Sequence, residues 1–329
     1  MYAACGGGME NFMSNYNKER LTYPSSDGNH TSVAYLFTPA EGEVRAVVQL
    51  CHGMCEYILR YEPFAAYLCE NGVAFAGNDH LGHGETAASD EDLGFTVDKE
   101  YLVDDVKTLT DLLKSRFPDK PFIFSGHSMG SFIARAYLAR YSEIPDGAVI
   151  IGTGGPDAPA GAGLAMARMV RRLKGAHYRS KMIKKLAFGS YNKRIQNPAS
   201  PNAWISRDEA VVKKYDADKF CTFSFTAQGY CDLFGLLKFV SSREWATTLC
   251  RDLPVLLLAG EEDPVGSYGK GVRLVYERLK EAGMEDVTLK LYPEDRHEVL
   301  NEPDRDVVYA DFLAFVNRVA EKKAEHADG

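Results

Sequence analysis

No stretch of the chain approaches the roughly 18 consecutive apolar residues that a membrane-spanning helix requires. The opening MYAACGGGMENFMSNYNKERL contains neither a basic segment nor an apolar core of the kind that marks a secretory signal. A cytoplasmic protein is therefore expected. C-x-x-C pairs are absent, and the seven cysteines (Cys5, Cys51, Cys55, Cys69, Cys221, Cys231, Cys250) are odd in number and mostly sit in apolar runs. That pattern argues against a disulfide framework and for reduced thiols acting as small hydrophobes. Basic residues are in the minority, 38 against 46 acidic, for a formal charge of −8. Such a balance disfavours general attraction to nucleic acid or to anionic membranes, while leaving local patches open. Internal repeats and low-complexity tracts are also lacking. With 45% apolar and 26% charged residues over 329 positions, the chain has the make-up of a folded protein whose core needs no disulfide or metal to hold it. The start of the chain, where Met9 and Met13 follow closely on Met1, carries no fold argument.

What is present is an alternation. Short β-branched runs such as AVVQLCHG, VAFAGNDH, PFIFSGHS and GAVIIGT are separated by longer amphipathic ones such as EYLVDDVKTLTDLLKSRF and SFIARAYLARY. This predicts βαβ units forming a parallel sheet with helices on both faces. The pattern stops after Gly155 and resumes near Leu253 with PVLLLAG, GVRLVYERLKEAG, VTLKLYPE and a last helix. Earlier, RLTYPSSDG and TSVAYLFTP alternate apolar and polar residues around a Ser-Asp-Gly-Asn turn and read as an antiparallel edge hairpin. The expected fold is α/β, a mostly parallel mixed sheet of about eight strands with a helical insertion between the sixth and seventh strands. Residues 1–155 and 252–329 would form the core and residues 156–251 a helical cap.

The insertion has a charge anomaly. From Ala158 to Arg207 there are eleven Lys or Arg residues and no Asp or Glu. Within LAMARMVRRLKGAHYRSKMIKKLAFGS, Leu164, Met166, Met169, Val170, Met182, Ile183 and Leu186 are expected to line or cover a pocket. Arg171, Arg172, Lys184 and Lys185 would face lipid headgroups or water. A basic amphipathic helix of this kind can make peripheral contact with a lipid surface, although a charge run more often marks only the solvated face of an ordinary helix.

The sharpest chemical signal is Gly126-His127-Ser128-Met129-Gly130, lying between a strand run and a helix run. Glycines on either side of the serine permit a tight strand-to-helix turn that lifts a nucleophilic hydroxyl clear of the sheet. A serine hydroxyl needs a base, and the base an orienting carboxylate. Asp263, in Gly260-Glu261-Glu262-Asp263-Pro264, and His297, in Glu294-Asp295-Arg296-His297, each follow a strand run and fall at the carboxyl edge of the sheet. His30 and His326 fall elsewhere. Two backbone N–H groups should hold the oxyanion, those of Met129 and of Met54 in the loop Cys51-His52-Gly53-Met54-Cys55, which His52 would brace. Asp79, His80 and His83 form a cluster that lacks a complete ligand set for zinc and reads instead as a loop-bracing network. No metal or cofactor is called for.

The motifs HGMCEYILRYEPFA, AGNDHLGHGET, SGHSMGSFIAR, GEEDPVG and YPEDRHEVLNE, in this order and spacing, resemble those of the monoacylglycerol lipase and lysophospholipase group of the α/β-hydrolase superfamily. The resemblance spans about Leu21 to Ala320. It implies a metal-free hydrolase with a helical cap over an acyl pocket, Ser128, Asp263 and His297 as the triad, and Met54 and Met129 as the oxyanion residues. One departure is visible: Glu56-Tyr57 stands where the group usually has Glu-His, and Ile58-Leu59 replaces a small polar residue. The expected activity is hydrolysis of monoacylglycerol-like or lysophospholipid-like esters through an acyl-enzyme. A proline-iminopeptidase-like enzyme would share the core and triad, but such enzymes commonly use cap carboxylates to hold an amine. The acid-free stretch argues against one, although Asp208, Glu209, Asp216 and Asp218 follow it. A ligand-binding receptor on the same fold is the alternative outside enzymes.

Overall fold

The computed structural model describes residues 15–156 and 158–327. Cys5, Met9 and Met13 lie outside them. Eight strands, β1 (Tyr16–Pro24), β2 (Thr31–Pro39), β3 (Ala46–Cys51), β4 (Val73–Asn78), β5 (Phe122–His127), β6 (Gly147–Ile151), β7 (Val255–Gly260) and β8 (Val287–Tyr292), form one sheet in the order β1-β2-β4-β3-β5-β6-β7-β8. The pairs β1–β2 and β2–β4 are antiparallel and the remaining pairs are parallel. The expected edge hairpin is thus in place, its turn set by Asp27, whose carboxylate accepts from the amides of Asn29 and His30 at 2.9 Å each. Strands β3 to β7 are buried along their whole length. That is the consequence of helices on both faces, and it is why these segments read as unbroken apolar runs.

Helices α1 (Glu62–Glu70), α2 (Lys99–Arg116) and α3 (Met129–Tyr141) connect the first strands. Between β6 and β7 the chain forms α4 (Ala160–Lys174), α5 (Lys181–Phe188), α6 (Glu209–Ala217), α7 (Ala227–Val240) and α8 (Arg243–Thr247). Helices α9 (Lys270–Glu281) and α10 (Arg305–Ala327) complete the chain. The last helix therefore runs further than its apolar pattern suggests and includes His326. Several helix starts carry the side-chain caps that local chemistry favours: Asp98, Ser180, Asp208, Thr226 and Ser242 each accept a backbone N–H of the first turn. One face of the sheet packs on α2 and α3 and continues without a break into α4, α7 and α8, while the other face packs on α1 and α10. No described helix is long and apolar enough to cross a membrane.

Candidate active site

Ser128 directly follows β5 and caps α3, with φ 55° and ψ −122°, a conformation that non-glycine residues rarely adopt. The turn closes because its flanking glycines have no side chains. A Cβ on Gly126 would lie 2.2 Å from the carbonyl oxygen of Gly130, and one on Gly130 would lie 2.0 Å from that of Cys51. The Ser128 amide donates to the Ile151 carbonyl at 3.0 Å and its own carbonyl accepts from the Ser131 amide at 2.9 Å, so the strained residue is fixed from both sides.

Asp263 and His297 come from the loops after β7 and β8, and both are buried. Nδ1 of His297 lies 3.0 Å from Oδ2 of Asp263. The other carboxylate oxygen accepts from the Val265 amide at 2.8 Å, which leaves the aspartate little freedom to turn. With Nδ1 donating to a carboxylate, the basic nitrogen is Nε2, and Nε2 has no hydrogen-bond partner. His297 and Ser128 line the same cavity, as do Met54 and Met129. The structure thus brings all five sequence-predicted residues to one place at the carboxyl edge of the sheet.

Behind Ser128 stands a buried polar network that the motif reading did not anticipate. The Glu56 carboxylate accepts from the Gly53 amide at 2.5 Å and the Tyr61 hydroxyl at 2.9 Å, and lies 3.1 Å from Nδ1 of His127. Arg60 donates to Glu56 at 2.9 Å and to both oxygens of Glu298 at 2.8 Å. Burial opposes charge on His127 and Glu56 alike. The pair overcomes it: Glu56 holds the imidazole above its ordinary pKa, and His127 and Arg60 hold the carboxyl well below the carboxylate range. Two carboxylates and two cations therefore balance inside the molecule. The other ring nitrogen of His127 donates to the carbonyl of His297 at 3.2 Å, joining the Ser128 turn to the His297 loop.

In the Asp79 cluster the carboxylate braces loops as expected, and His83 Nδ1 lies 3.1 Å from the Leu81 carbonyl oxygen, but neither ring nitrogen of His80 has a hydrogen-bond partner. Asp79 accepts from the amides of Ile58 at 2.9 Å and Glu85 at 2.8 Å, and Nε2 of His52 accepts from the His80 amide at 3.0 Å. Burial lowers the pKa of His52 to about 4, that of His83 to about 3, and that of His80 well below its usual value, so these rings are neutral. Among the described residues, no group of three or more His, Cys, Asp or Glu side chains is placed to hold a metal ion. At the departure from the resembled group, the Tyr57 hydroxyl donates to Asp218 of the insertion at 2.8 Å and its ring packs edge-on to Phe220.

The cavity over Ser128 measures about 700 Å³ and is lined jointly by the sheet edge and the helical insertion. Phe132, Gly163, Met166, Ile183, Phe234 and Leu237 supply apolar surface; Tyr191, Asn192, Asn202 and Tyr215 supply polar groups. Of the insertion residues expected at such a pocket, Met166, Ile183 and Leu186 line it, and so do Lys184 and Lys185. Leu164 and Val170 instead pack into the buried cluster shared with α7, while Met169 and Met182 are 54% and 51% exposed. Arg171 does not simply face solvent: it donates to the Gln228 side-chain oxygen at 2.6 Å. Segment Trp204–Ile205 packs against His297, with the Glu298 amide donating to the Ile205 carbonyl at 2.7 Å and the Trp204 ring 5.1 Å from that of His297.

Comparison with known proteins agrees with this architecture. Residues 42–304 match the family described as serine aminopeptidase, S33. The chain is 31% identical over 282 residues to the monoacylglycerol lipase of Mycolicibacterium smegmatis, covering 85% of this chain and 91% of that protein. It is 27% identical over 270 residues to the monoglyceride lipase of Homo sapiens, covering 82% and 80%. The solved carboxyl esterase of Bacillus coagulans, in complex with glycerol, superposes with a TM-score of 0.87 at 30% identity, covering 92% of this chain and 99% of that one. With the matched family spanning most of the chain and the sheet order and site edge as described, the chain belongs to the α/β-hydrolases, in the group of the monoacylglycerol lipases and related ester hydrolases.

Proposed function

We propose that the chain is a serine hydrolase that cleaves monoacylglycerol-like or lysophospholipid-like esters, with Ser128 as nucleophile, His297 as base and Asp263 as the orienting acid. The observation that carries this reading is the convergence of Ser128 with an Asp263-bound His297, whose free Nε2 is buried, on one largely apolar cavity. The described residues of the two flanking segments, 15–155 and 252–327, act as the hydrolase core, and those of the insertion as a cap that walls the acyl site.

In this mechanism Ser128 Oγ bonds to the ester carbonyl carbon while His297 Nε2 takes its proton. The carbonyl oxygen becomes an oxyanion held by the backbone N–H groups of Met54 and Met129. Collapse breaks the bond to the alcohol, which leaves with the proton from His297, and Ser128 retains the acyl group. Water then repeats the sequence, and the fatty acid departs. An amine-holding peptidase site finds less support, because the two carboxylates on the cavity wall, Glu56 and Glu298, are both engaged by Arg60. The test is a fluorophosphonate probe combined with a chain-length series of p-nitrophenyl esters, monoacylglycerols, lysophospholipids and aminoacyl anilides. Labelling at Ser128 and a kcat/KM that favours the lipid esters are expected. Labelling at another serine, or a preference for the anilides, would overturn the reading.

A further inference from the structure

The mechanism leaves one buried cation without a task. Arg135, in the middle of α3, is wholly shielded from solvent. Among the described residues no carboxylate pairs with it. Its guanidinium donates to Thr153 Oγ1 at 3.2 Å, to the Gly154 carbonyl at 3.1 Å and to the Val240 carbonyl, and its Cζ lies 4.2 Å from the ring centroid of Trp245. Burial, with a contribution from Arg278, brings its pKa down to about 9. A hydrocarbon side chain of similar volume would avoid that desolvation, so the use of the guanidinium has to be sought in what its fork of donors connects.

The connection follows the chain. Gly154 lies where the backbone leaves β6 for the helical insertion, and Val240 is the last residue of α7, where it turns back toward the core. One guanidinium holds both crossings, and α3, which carries it, begins at the nucleophile turn. Further bonds tighten the same point. Arg278 donates to the Ser241 carbonyl, Ser241 Oγ donates to the Gly155 carbonyl at 3.5 Å, and Trp245 Nε1 donates to the carbonyl of Arg135 itself at 2.7 Å. The crossings also shape the cavity: Gly154 lines it together with Leu237, one helical turn before Val240, and Phe132 on α3.

We infer that Arg135 is a positioning residue that pins both chain crossings of the insertion to the nucleophile helix, and so sets the standing of α7 over Ser128 and the length of acyl chain the cavity accepts. This rests on the ester-hydrolase reading. Arg135 touches neither the triad nor the oxyanion loop directly, and reaches the Ser128 carbonyl only through Thr153 and Ser131, so its loss should act on long chains far more than on short ones. In Arg135→Met, kcat/KM for p-nitrophenyl dodecanoate should fall about tenfold, mainly through KM, because small displacements of binding surface are costly. The value for p-nitrophenyl acetate should change by less than about twofold. Arg135→Lys should restore part of the loss, since an ammonium lacks the planar fork but still reaches a carbonyl. Hydrogen exchange across residues 152–160 and 236–242 should quicken in Arg135→Met whatever the activity. If that variant does not fold, the half-buried Arg278→Met probes the same crossing and should move the chain-length ratio in the same direction. Equal losses on both esters, or an unchanged ratio with unchanged exchange, would overturn the inference. A wild-type protein inactive on every ester would instead overturn the ester reading, and the exchange experiment would still decide the role of Arg135.

Discussion

At the scale of single residues, the site depends on buried polar groups fixed by specific hydrogen-bond partners. Asp263 has one oxygen on His297 and the other on a backbone amide, so Asp263→Asn keeps the shape but favours the wrong imidazole tautomer. The variant should fold with an unchanged melting temperature and lose roughly 10⁴-fold in kcat, as measured on a short ester. The Glu56–His127 pair makes a different prediction, about stability. Glu56 has its pKa depressed, so its contribution is present above the ordinary carboxylate range and is lost as pH falls through the folded value. His127 has its pKa raised, so its contribution is full below the ordinary histidine range and is lost as pH rises through the folded value. Both are full between about pH 4.5 and 6.5. The difference in melting temperature between wild type and Glu56→Gln should therefore be larger at pH 6 than at pH 9. A difference independent of pH, read by thermal denaturation, would mean that the pair is not ionic.

At the scale of elements, α4 and α5 repeat one pattern. Met169, Arg172 and Leu173 on α4, and Met182, Lys185 and Leu186 on α5, stand three and four residues apart and so share a helix face. All six are exposed, Leu173 to 71% and Leu186 to 62%. Exposed apolar side chains set among cations, with no acidic residue between Ala158 and Arg207, suit an anionic lipid surface better than water. We propose that this face docks the cap on such a surface. Sedimentation should show tighter binding to vesicles containing phosphatidylglycerol than to neutral phosphatidylcholine vesicles, and the preference should weaken with salt, since exposed charge is screened over about 8–10 Å. Changing Arg172, Lys174 and Lys181, none of which lines the cavity over Ser128, to Gln should weaken the preference without affecting hydrolysis of a soluble short ester. Equal binding to both vesicle types at low salt would leave these helices as ordinary solvated faces.

At the scale of the whole molecule, the insertion packs into the same hydrophobic cluster as one face of the sheet. Phe225, Tyr230, Leu236 and Trp245 belong to the same buried cluster as Met129, Ile133 and Tyr137 of α3. Units joined in this way should unfold together, so calorimetry should show one transition with equal calorimetric and van't Hoff enthalpies. Trp245→Ala should destabilise that single transition by about 3–5 kcal/mol, since it empties one of the largest buried volumes. Two resolved transitions would show that the insertion folds as an independent unit.

What could be read without coordinates was whatever the local chain encodes. Strands buried on both faces betray themselves as apolar runs, and the hairpin shows through its Asp-Gly turn. The candidate catalytic residues stand out because each sits next to the end of a strand run, where the parallel sheet gathers loops from distant parts of the chain. Their spacing in the fold follows from strand order, so Ser128, Asp263 and His297 were legible while Arg135 and the Glu56–His127 pair were not. Glu56 and His127 lie 71 positions apart, and nothing in either segment marks the other as its partner. The facing of the cap helices was equally hidden. Periodicity assigns Leu164 and Val170 to one face of α4, but only the packing of α4 against α7 buries that face and leaves Met169 in water. Hydrophobic pattern encodes which residues seek burial, since that depends on each side chain alone; against what they are buried depends on neighbours that folding brings together.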